Sequence, residues 1–379
     1  MLMAARSTVQ IDYLFRVLYD DLIGVDREGK VYFYQLTDGN YYHSSVTFWQ
    51  VNPIQPGSWR ALKTIELDHI VSNACGALNL SQTSIAFRFV CHSECNSERE
   101  IQFLELNLTD LSVTFRAKPK IPQFQINGEW RNLRNVSSMA ETDLGWLGVS
   151  EYSTARPVQT VSAMYKIFPT ADETQILMHI ESGLSVGCYR LVALSRSAVY
   201  YLRKNPRTVA SNNSCILTAW QFKSNRRFEM QTADFLNAAD NYRPIPVRLF
   251  GGPDSVFLHE DKNPTLSFRR EATKLYRISC DELGLRCHFL TDTSHLHSLS
   301  DWLRLLPLPD KVVVVYEHKV RQVKLLSIFY LSPPCLKTLS VLAVQKACGN
   351  VNNYGELVQN FSEEQLKNVI QMPLENNLF

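Results

Sequence analysis

Most of the first 331 residues alternate between short apolar runs, rich in Val, Ile, Phe and Tyr, and short polar or glycine-containing segments. This pattern is typical of β-strands joined by turns, and it predicts strands nearly throughout that region. The first predicted group is a hairpin of residues 22–26 and 30–36 around Gly29, followed by strands at 46–51 and 62–67.

Five further predicted hairpins follow along the chain. They pair residues 84–90 with 100–106, 144–151 with 159–168, 198–202 with 215–222, 255–259 with 273–278, and 311–316 with 323–331. Successive hairpins begin between 50 and 65 residues apart. Because one small sheet cannot bury both of its faces, a three- or four-stranded unit recurring at this spacing favours a β-propeller of six or seven blades. No WD40 signature recurs, so the propeller is divergent, and a pair of β-sandwiches is the alternative.

Two segments interrupt the strand pattern. Residues 232–237 are expected to form a short helix or an ordered loop. Residues 295–306 have helical apolar spacing before Pro307, and we expect a helix between blades there. Its apolar positions are Leu296, Leu299, Trp302, Leu303 and Leu306.

The pattern changes to helical spacing in the last 48 residues, 332–379. Ser332 suits a helix N-cap and Gly349 suits the residue after its end. One face of that helix carries Leu336, Leu339, Ser340, Ala343, Val344 and Ala347. A second helix is expected after Ser362, which forms a capping box with Gln365.

This C-terminal arrangement resembles a SOCS box, whose first helix binds elongin C. Leu336, Leu339 and Val344 match the elongin-binding motif, whereas Ser340 stands where the family usually has Cys. The resemblance implies that Leu336 fills the elongin C pocket. Leu339, Ser340, Ala343 and Val344 would line the rest of that contact.

The same resemblance assigns the third segment of the box. Phe361, Leu366 and Val369 would pack that helix or contact the cullin. The family's Leu-Pro-x-Pro run is replaced here by residues 360–363, so the choice of cullin stays open. The box could instead be an ordinary amphipathic pair of helices packed on its own domain, which would make the protein a scaffold.

Joined together, the two parts imply a substrate receptor of a cullin–RING ubiquitin ligase. Residues 1–331 would recognise the substrate and residues 332–379 would bind elongin C, elongin B and a cullin with its RING subunit. The whole chain is also similar to a nematode family of zinc-finger-interacting receptors. That similarity implies CCCH zinc-finger proteins as substrates, in early embryos.

Composition narrows the class of protein further. The 379 residues are 45% hydrophobic and 20% charged, with a formal net charge of +2. That balance argues against a dedicated nucleic-acid binder, and no apolar run is long enough to cross a membrane. Nine scattered cysteines fit reduced thiols in the cytoplasm, with the nucleus as an alternative.

The sequence contains few candidates for metal-binding or catalytic residues. Cys91, His92 and Cys95 lack a second ligand pair nearby in sequence, although Cys280, Cys287 and His288 could approach in space. We expect a polar hairpin tip rather than zinc, no cofactor, and no catalytic residues, because no hydrolase or phosphate-binding motif occurs. A propeller hydrolase, with carboxylates or histidines converging on the channel, is the rival class.

Overall fold

The computed structural model describes most of the chain up to Tyr330. The described residues are 6–11, 22–38, 44–52, 60–67, 70–92, 99–116, 123–126, 129–132, 136–153, 160–181, 191–204, 215–231, 247–254, 256–260, 274–292, 303–308, 311–318 and 323–330. They contain 26 β-strands and no helix.

Twenty-four of these strands form six antiparallel sheets of four strands each. Blade 1 contains β2 (Leu22–Val25), β3 (Val31–Asp38), β4 (Ser44–Val51) and β5 (Arg60–Leu67). Blade 2 contains β6 (Ile70–Leu78), β7 (Ser84–His92), β8 (Arg99–Asn107) and β9 (Val113–Phe115). Blade 3 contains β12 (Ser138–Thr142), β13 (Gly145–Ser153), β14 (Thr160–Lys166) and β15 (Ile176–Glu181).

The remaining three blades follow the same order. Blade 4 contains β16 (Val192–Leu194), β17 (Ala198–Lys204), β18 (Cys215–Gln221) and β19 (Arg227–Gln231). Blade 5 contains β20 (Val247–Gly251), β21 (Val256–Glu260), β22 (Lys274–Asp281) and β23 (Gly284–Asp292). Blade 6 contains β24 (Leu303–Pro307), β25 (Lys311–His318), β26 (Val323–Tyr330) and β1 (Arg6–Ile11). A separate hairpin, β10 (Gln123–Ile126) with β11 (Glu129–Asn132), lies between blades 2 and 3 in sequence.

The first strands of the six blades form a closed ring. Each of β2, β6, β12, β16, β20 and β24 contacts the corresponding strand of the next blade, and β24 returns to β2. This arrangement is a six-bladed β-propeller with an axial channel, which agrees with the blade number that the spacing predicts and excludes a pair of β-sandwiches.

The N-terminal strand closes the ring. β1 supplies the fourth, outermost strand of blade 6 by pairing antiparallel with β26, from Arg6 opposite Phe329 to Ile11 opposite Lys324. The first and last described strands of the chain therefore pair in one sheet, and this pairing closes the ring of blades.

The hydrophobic cores lie between neighbouring blades. Four apolar clusters fill the spaces between blades 1 and 2, 2 and 3, 3 and 4, and 4 and 5. In the first of them, the fully buried Phe87 meets the ring of Tyr34 at 4.8 Å and that of Phe48 at 5.3 Å, both edge to face. The interior strands are apolar on both faces because each blade is covered on both sides.

The alternation of strand direction gives the disc two different faces. The turns between the first and second strands of each blade lie at one face, which we call the turn face. The connections between second and third strands, and from blade to blade, lie at the other, which we call the loop face. Strands β17 and β18, and strands β21 and β22, have their connected ends at this face; the intervening residues 205–214 and 261–273 lie outside the described residues.

Hydrogen bonds join neighbouring turns on the turn face. Arg27 N donates to Gln82 Oε1 at 2.9 Å, and Leu80 N donates to Glu141 Oε2 at 2.7 Å. Asp143 N donates to Arg196 O at 2.8 Å. Arg196 N in turn donates to the main-chain oxygen of Pro253 at 3.0 Å. These bonds connect the turns of blades 1 to 5 in sequence, so this face is held as one unit.

Two glycines allow the inner strands to approach closely. A Cβ atom added at Gly251 of β20 would lie 2.2 Å from the main-chain oxygen of Leu194 in β16. One added at Gly76 of β6 would lie 2.8 Å from Cγ1 of Ile23 in β2. Only a residue without a side chain fits at these points of the ring.

The structure confirms all six predicted hairpins. They appear as β2–β3, β7–β8, β13–β14, β17–β18, β21–β22 and β25–β26. The predicted helix over 295–306 is wrong at its C-terminal end, because residues from Leu303 onward form β24. Pairing of that segment with the valine-rich β25 and burial of Leu305 and Leu306 outweigh its helical spacing. The segment 232–237 and both helices of the C-terminal box lie outside the described residues.

Candidate functional site

An elongated cavity of about 870 Å³ runs along the propeller axis. All six inner strands line it, from the loop-face ends at Leu22, Val136 and Arg248 to the turn-face ends at Leu80 and Pro253. Its size lies within the range of small-molecule and peptide pockets.

The wall of this channel is mainly aliphatic. It includes the buried side chains of Leu22, Met139, Val192, Leu249 and Leu305, one from each of five blades. Small residues are also frequent in it, since the inner strands must pack closely around the axis. Met139, Val192 and Leu249 also belong to the apolar clusters between blades, so these side chains expose little surface to the channel.

Of the residues that the structure describes, three with charged side chains line the channel: Glu141, Glu151 and Arg248. Glu141 lies near the turn face, where it accepts the hydrogen bond from Leu80 N. Glu151 lies near the loop face, where Oε1 accepts a hydrogen bond from Leu191 N at 3.1 Å. Arg248 is the second residue of β20 and therefore lies at the same end as Glu151.

A cation is buried directly behind the channel wall. Arg88 is 1% exposed and lies opposite Cys75 in the β6–β7 register, and Cys75 lines the channel. Burial lowers the pKa of Arg88, opposed by the neighbouring Tyr165 and Cys75, and burial likewise raises the pKa of Tyr165. This cluster lies in the core between blades 2 and 3, out of reach of a ligand, and we assign it to packing.

The candidate zinc cysteines that the structure describes lie apart, and Cys95 lies outside the described residues. Cys91 is buried in the core between blades 1 and 2, whereas Cys280 and Cys287 pack against the core between blades 4 and 5. Burial raises the pKa of Cys280 to about 11, helped by Asp281, and that of Cys287 to about 12. Among the described residues, no three His, Cys, Asp or Glu side chains are placed to share a metal ion.

Every residue assigned to partner binding from the sequence falls in 331–379, outside the described residues. These are Leu336, Leu339, Ser340, Ala343 and Val344 for elongin, and Phe361, Leu366 and Val369 for the cullin or for packing of the box. The sequence analysis missed the channel lining. A partial signal was present in the segments rich in Gly, Ala and Ser at 72–77 and 137–140, which precede the hairpins of blades 2 and 3.

The fold and this channel define a class of protein: a six-bladed β-propeller with an axial cavity. In the part of the chain that the structure describes, no helix has the length and hydrophobicity to span a bilayer. No protein-family model matches the chain, and no curated protein matches it.

Solved structures of several propeller-containing proteins are similar to the chain. The β-propeller domain of the trilobed protease from Pyrococcus furiosus is 12% identical with a TM-score of 0.39, and the match covers 78% of this chain and 77% of that one. Acylaminoacyl peptidase from Pyrococcus horikoshii is 9% identical with a TM-score of 0.40, and the match covers 78% of this chain but only 42% of the peptidase. A family 117 glycoside hydrolase from Zobellia galactanivorans is 9% identical with a TM-score of 0.34, covering 76% and 91%. At these levels the matches say nothing about activity or substrate.

Proposed function

We propose that this protein is a non-catalytic substrate-recognition subunit of an elongin-BC/cullin–RING ubiquitin ligase. The propeller would hold the substrate, and residues 332–379 would attach it to elongin C, elongin B and a cullin with its RING subunit. The observation that carries this proposal is the position of the SOCS-like motif relative to the ring. Blade 6 takes its four strands from residues 6–11 and 303–330, so no described strand of the disc comes from the segment that contains Leu336.

The described strands of blade 6 thus complete a four-stranded sheet with β1 as its outer strand. A narrow aliphatic stripe that is not required to complete its own domain is well suited to a partner subunit. In such a complex the chemistry belongs to the other subunits. The receptor raises the effective concentration of a substrate lysine near the charged ubiquitin-conjugating enzyme.

We base the proposed substrate class on the resemblance to the nematode zinc-finger-interacting receptors. We propose CCCH zinc-finger proteins, marked for proteasomal degradation during early development. The zinc would belong to the substrate.

Co-expression of the full chain with elongins B and C tests the proposal. We expect wild type to co-purify with both elongins and Leu336→Asp to lose them while the propeller keeps its thermal midpoint. Leu283→Asp is the matched control, because Leu283 is 83% exposed at the tip of the β22–β23 turn and should leave the complex intact.

Two results would contradict this function. One is retention of the elongins by the Leu336→Asp variant. The other is unfolding of the propeller in that variant, which would favour the alternative of a scaffold whose C-terminal helices pack on their own domain.

A further inference from the structure

Two neighbouring turns on the turn face are in direct contact. One joins the third and fourth strands of blade 4, and the other joins those of blade 5; because strand direction alternates, both lie on the same face as the turns between first and second strands. The side chain of Gln221 connects them, since its Nε2 donates to the main-chain oxygens of Cys280 at 3.3 Å and of Asp281 at 3.4 Å. We give the name basic patch to four exposed side chains at these turns: Lys223, Arg226, Arg227 and Leu283.

The three cations of the basic patch lack the carboxylate partners that other cations near these turns have. Arg196 pairs with Asp143 at 3.1 Å, and Arg286 pairs with Asp281 at 3.5 Å. Among the described residues, no Asp or Glu forms an ion pair with the cations of the patch. Glu282 is also exposed beside Leu283, and it still leaves the patch with an excess of positive charge.

Hydrogen bonds fix the conformation of the blade 4 turn. Gln221 N donates to Arg226 O at 2.9 Å. Trp220 Nε1 donates to Asn225 Oδ1 at 2.9 Å, and Asn225 has a left-handed φ of 53°. The guanidinium carbon of Arg227 lies 6.0 Å from the centre of the Trp220 ring. Cations presented by a preorganised turn lose little conformational entropy when they bind a partner.

Leu283 adds exposed apolar surface next to these cations. It is 83% exposed, the largest value among the exposed large hydrophobic residues that the structure describes. Asp281 Oδ1 accepts hydrogen bonds from Leu283 N at 2.9 Å and from Gly284 N at 3.1 Å, so this turn is fixed as well. A single exposed leucine needs no partner by itself. Beside uncompensated cations, however, it suits a segment that combines carboxylates with a bulky apolar side chain.

The C-terminal segment of the chain has this composition and starts from the same face. Tyr330, the last residue of β26, lies opposite Lys311 in the register, and Lys311 bonds to the turn at Arg27 on the turn face. Residues 361–366 read Phe-Ser-Glu-Glu-Gln-Leu. The connecting residues 331–360 can span up to about 100 Å, several times the radius of gyration of about 20 Å expected for a compact chain of this length. They therefore reach blades 4 and 5.

Other stretches outside the described residues fit the basic patch less well. Residues 232–246 also combine Asp with Phe and Leu, but they connect β19 to β20 at the loop face. Of the stretches that begin or end on the turn face, residues 1–5 and 53–59 contain no Asp or Glu, and residues 309–310 contain only Asp310. A pair of adjacent carboxylates between apolar residues is found, on this face, in residues 361–366.

We propose that residues 361–366 dock on the basic patch of their own propeller, with Glu363 and Glu364 facing the cations of blade 4 and an apolar side chain of the segment against Leu283. Because the contact is intramolecular, chain connectivity supplies a high effective concentration, and individually weak surface ion pairs are sufficient. The inference goes beyond the proposed function and does not rest on it. In a ubiquitin ligase receptor, this contact would keep the box on the propeller until elongin C or the cullin displaces it.

Zero-length cross-linking with a carbodiimide tests this contact in the full-length chain. The reagent joins a lysine amine to a carboxylate that touches it, so we expect a cross-link from Lys223 to Glu363 or Glu364, identified by mass spectrometry. Arg226→Glu combined with Arg227→Glu should lower its yield about tenfold, because two attractive charge contacts become repulsive. Arg226→Lys combined with Arg227→Lys keeps the charge and should retain cross-links between this turn and residues 363–364.

Arg60→Glu combined with Lys63→Glu is the matched control, because both cations are exposed on β5 of blade 1, away from the basic patch. This variant should keep the wild-type yield, and the thermal midpoints of all variants should stay close to that of wild type. Absence of the cross-link in wild type, or an equal yield after reversal of the two arginines of the patch, would overturn the inference.

A mixture of isotope-labelled and unlabelled chains identifies the origin of the cross-link. Cross-linked peptides that carry one isotope throughout support docking within one chain, whereas mixed pairs would show docking between two copies and would overturn the inference. Loss of elongin co-purification with the cross-link intact would overturn the proposed function alone. Elongin co-purification without the cross-link would overturn only the docking.

Discussion

The ammonium group of Lys311 donates a hydrogen bond to the main-chain oxygen of Arg27 at 3.2 Å. Lys311 begins β25 in blade 6, and Arg27 lies in the turn that follows β2 in blade 1. This bond therefore crosses the seam between blades 6 and 1, the last and first blades of the ring. Lys311 is only 7% exposed. A buried ammonium group is costly unless it forms hydrogen bonds, so the bond to Arg27 O compensates for part of its burial.

Lys311→Met should therefore destabilise the closed ring. We expect a loss of about 1.5–3 kcal/mol in the free energy of unfolding, measured by urea denaturation, because the variant leaves a main-chain acceptor of the seam without its charged donor. Lys223→Met is the control, since Lys223 is exposed between β18 and β19. Equal stability of the two variants would show that the seam does not depend on this bond.

Removal of the closing strand should have a larger effect. Deleting residues 1–11 removes β1 and leaves β26 as an open edge. We expect a loss of at least about 3 kcal/mol, because the backbone bonds of a six-residue pairing disappear, and we expect oligomers in size-exclusion chromatography. Deleting only residues 1–5 should change neither measurement, and a monomer of wild-type stability after the longer deletion would contradict the closure.

Gly251 supports a third prediction. Gly251→Ala would place a Cβ 2.2 Å from Leu194 O, so strands β20 and β16 must separate, at a cost of about 2 kcal/mol or more. Gly24→Ala is the control, because its Cβ would meet Leu78 at an ordinary 3.6 Å, and we expect a change within about 1 kcal/mol. Thermal unfolding followed by circular dichroism distinguishes the two, and similar midpoints would contradict the close approach.

The sequence predicted the strands that the fold buries most deeply. The second and third strands of blades 2 to 6 are covered on both faces, so they read as continuous apolar runs such as residues 311–316. The outer strands of blades 2 to 5 were missed because their side chains alternate between exposed and partly buried positions, as in β19. The sequence of such a strand has no clear hydrophobic pattern, and its pairing with the third strand of the blade cannot be seen from the sequence alone.

Apart from β2, the inner strands, and with them the channel, were harder to predict. Some of them are short or contain small residues: β16 has three residues, and β12 reads Ser-Met-Ala-Glu-Thr. Close packing around the axis selects small residues at these positions, and small residues carry weak strand propensity. Glu151 of blade 3 and Arg248 of blade 5 line the same channel, a proximity that only the ring produces.

The two thiols of blade 5 should be chemically inert. Burial raises the pKa of Cys280 from 9.0 to about 11 and that of Cys287 to about 12, so both remain protonated near neutral pH. A pKa two units higher leaves about a hundredfold less thiolate at Cys280, and we expect alkylation by iodoacetamide to slow accordingly relative to the urea-unfolded chain. Mass spectrometry of the tryptic peptides measures both rates, and equal rates would contradict the burial of these thiols.

Glu173 gives the propeller a defined response to acid. A hydrogen bond from Lys166, supported by one from Thr170 N at 2.9 Å, lowers the pKa of Glu173 from 4.5 to about 2. The unfolded chain takes up the proton at the higher pH, so the stabilisation is complete above about pH 4.5 and is lost as the pH falls towards about 2. Glu173→Gln should therefore show a shallower fall of the urea midpoint across that range. Asp172→Asn, at the neighbouring exposed carboxylate, is the matched control, and the same slope in both variants would refute the assignment to Glu173.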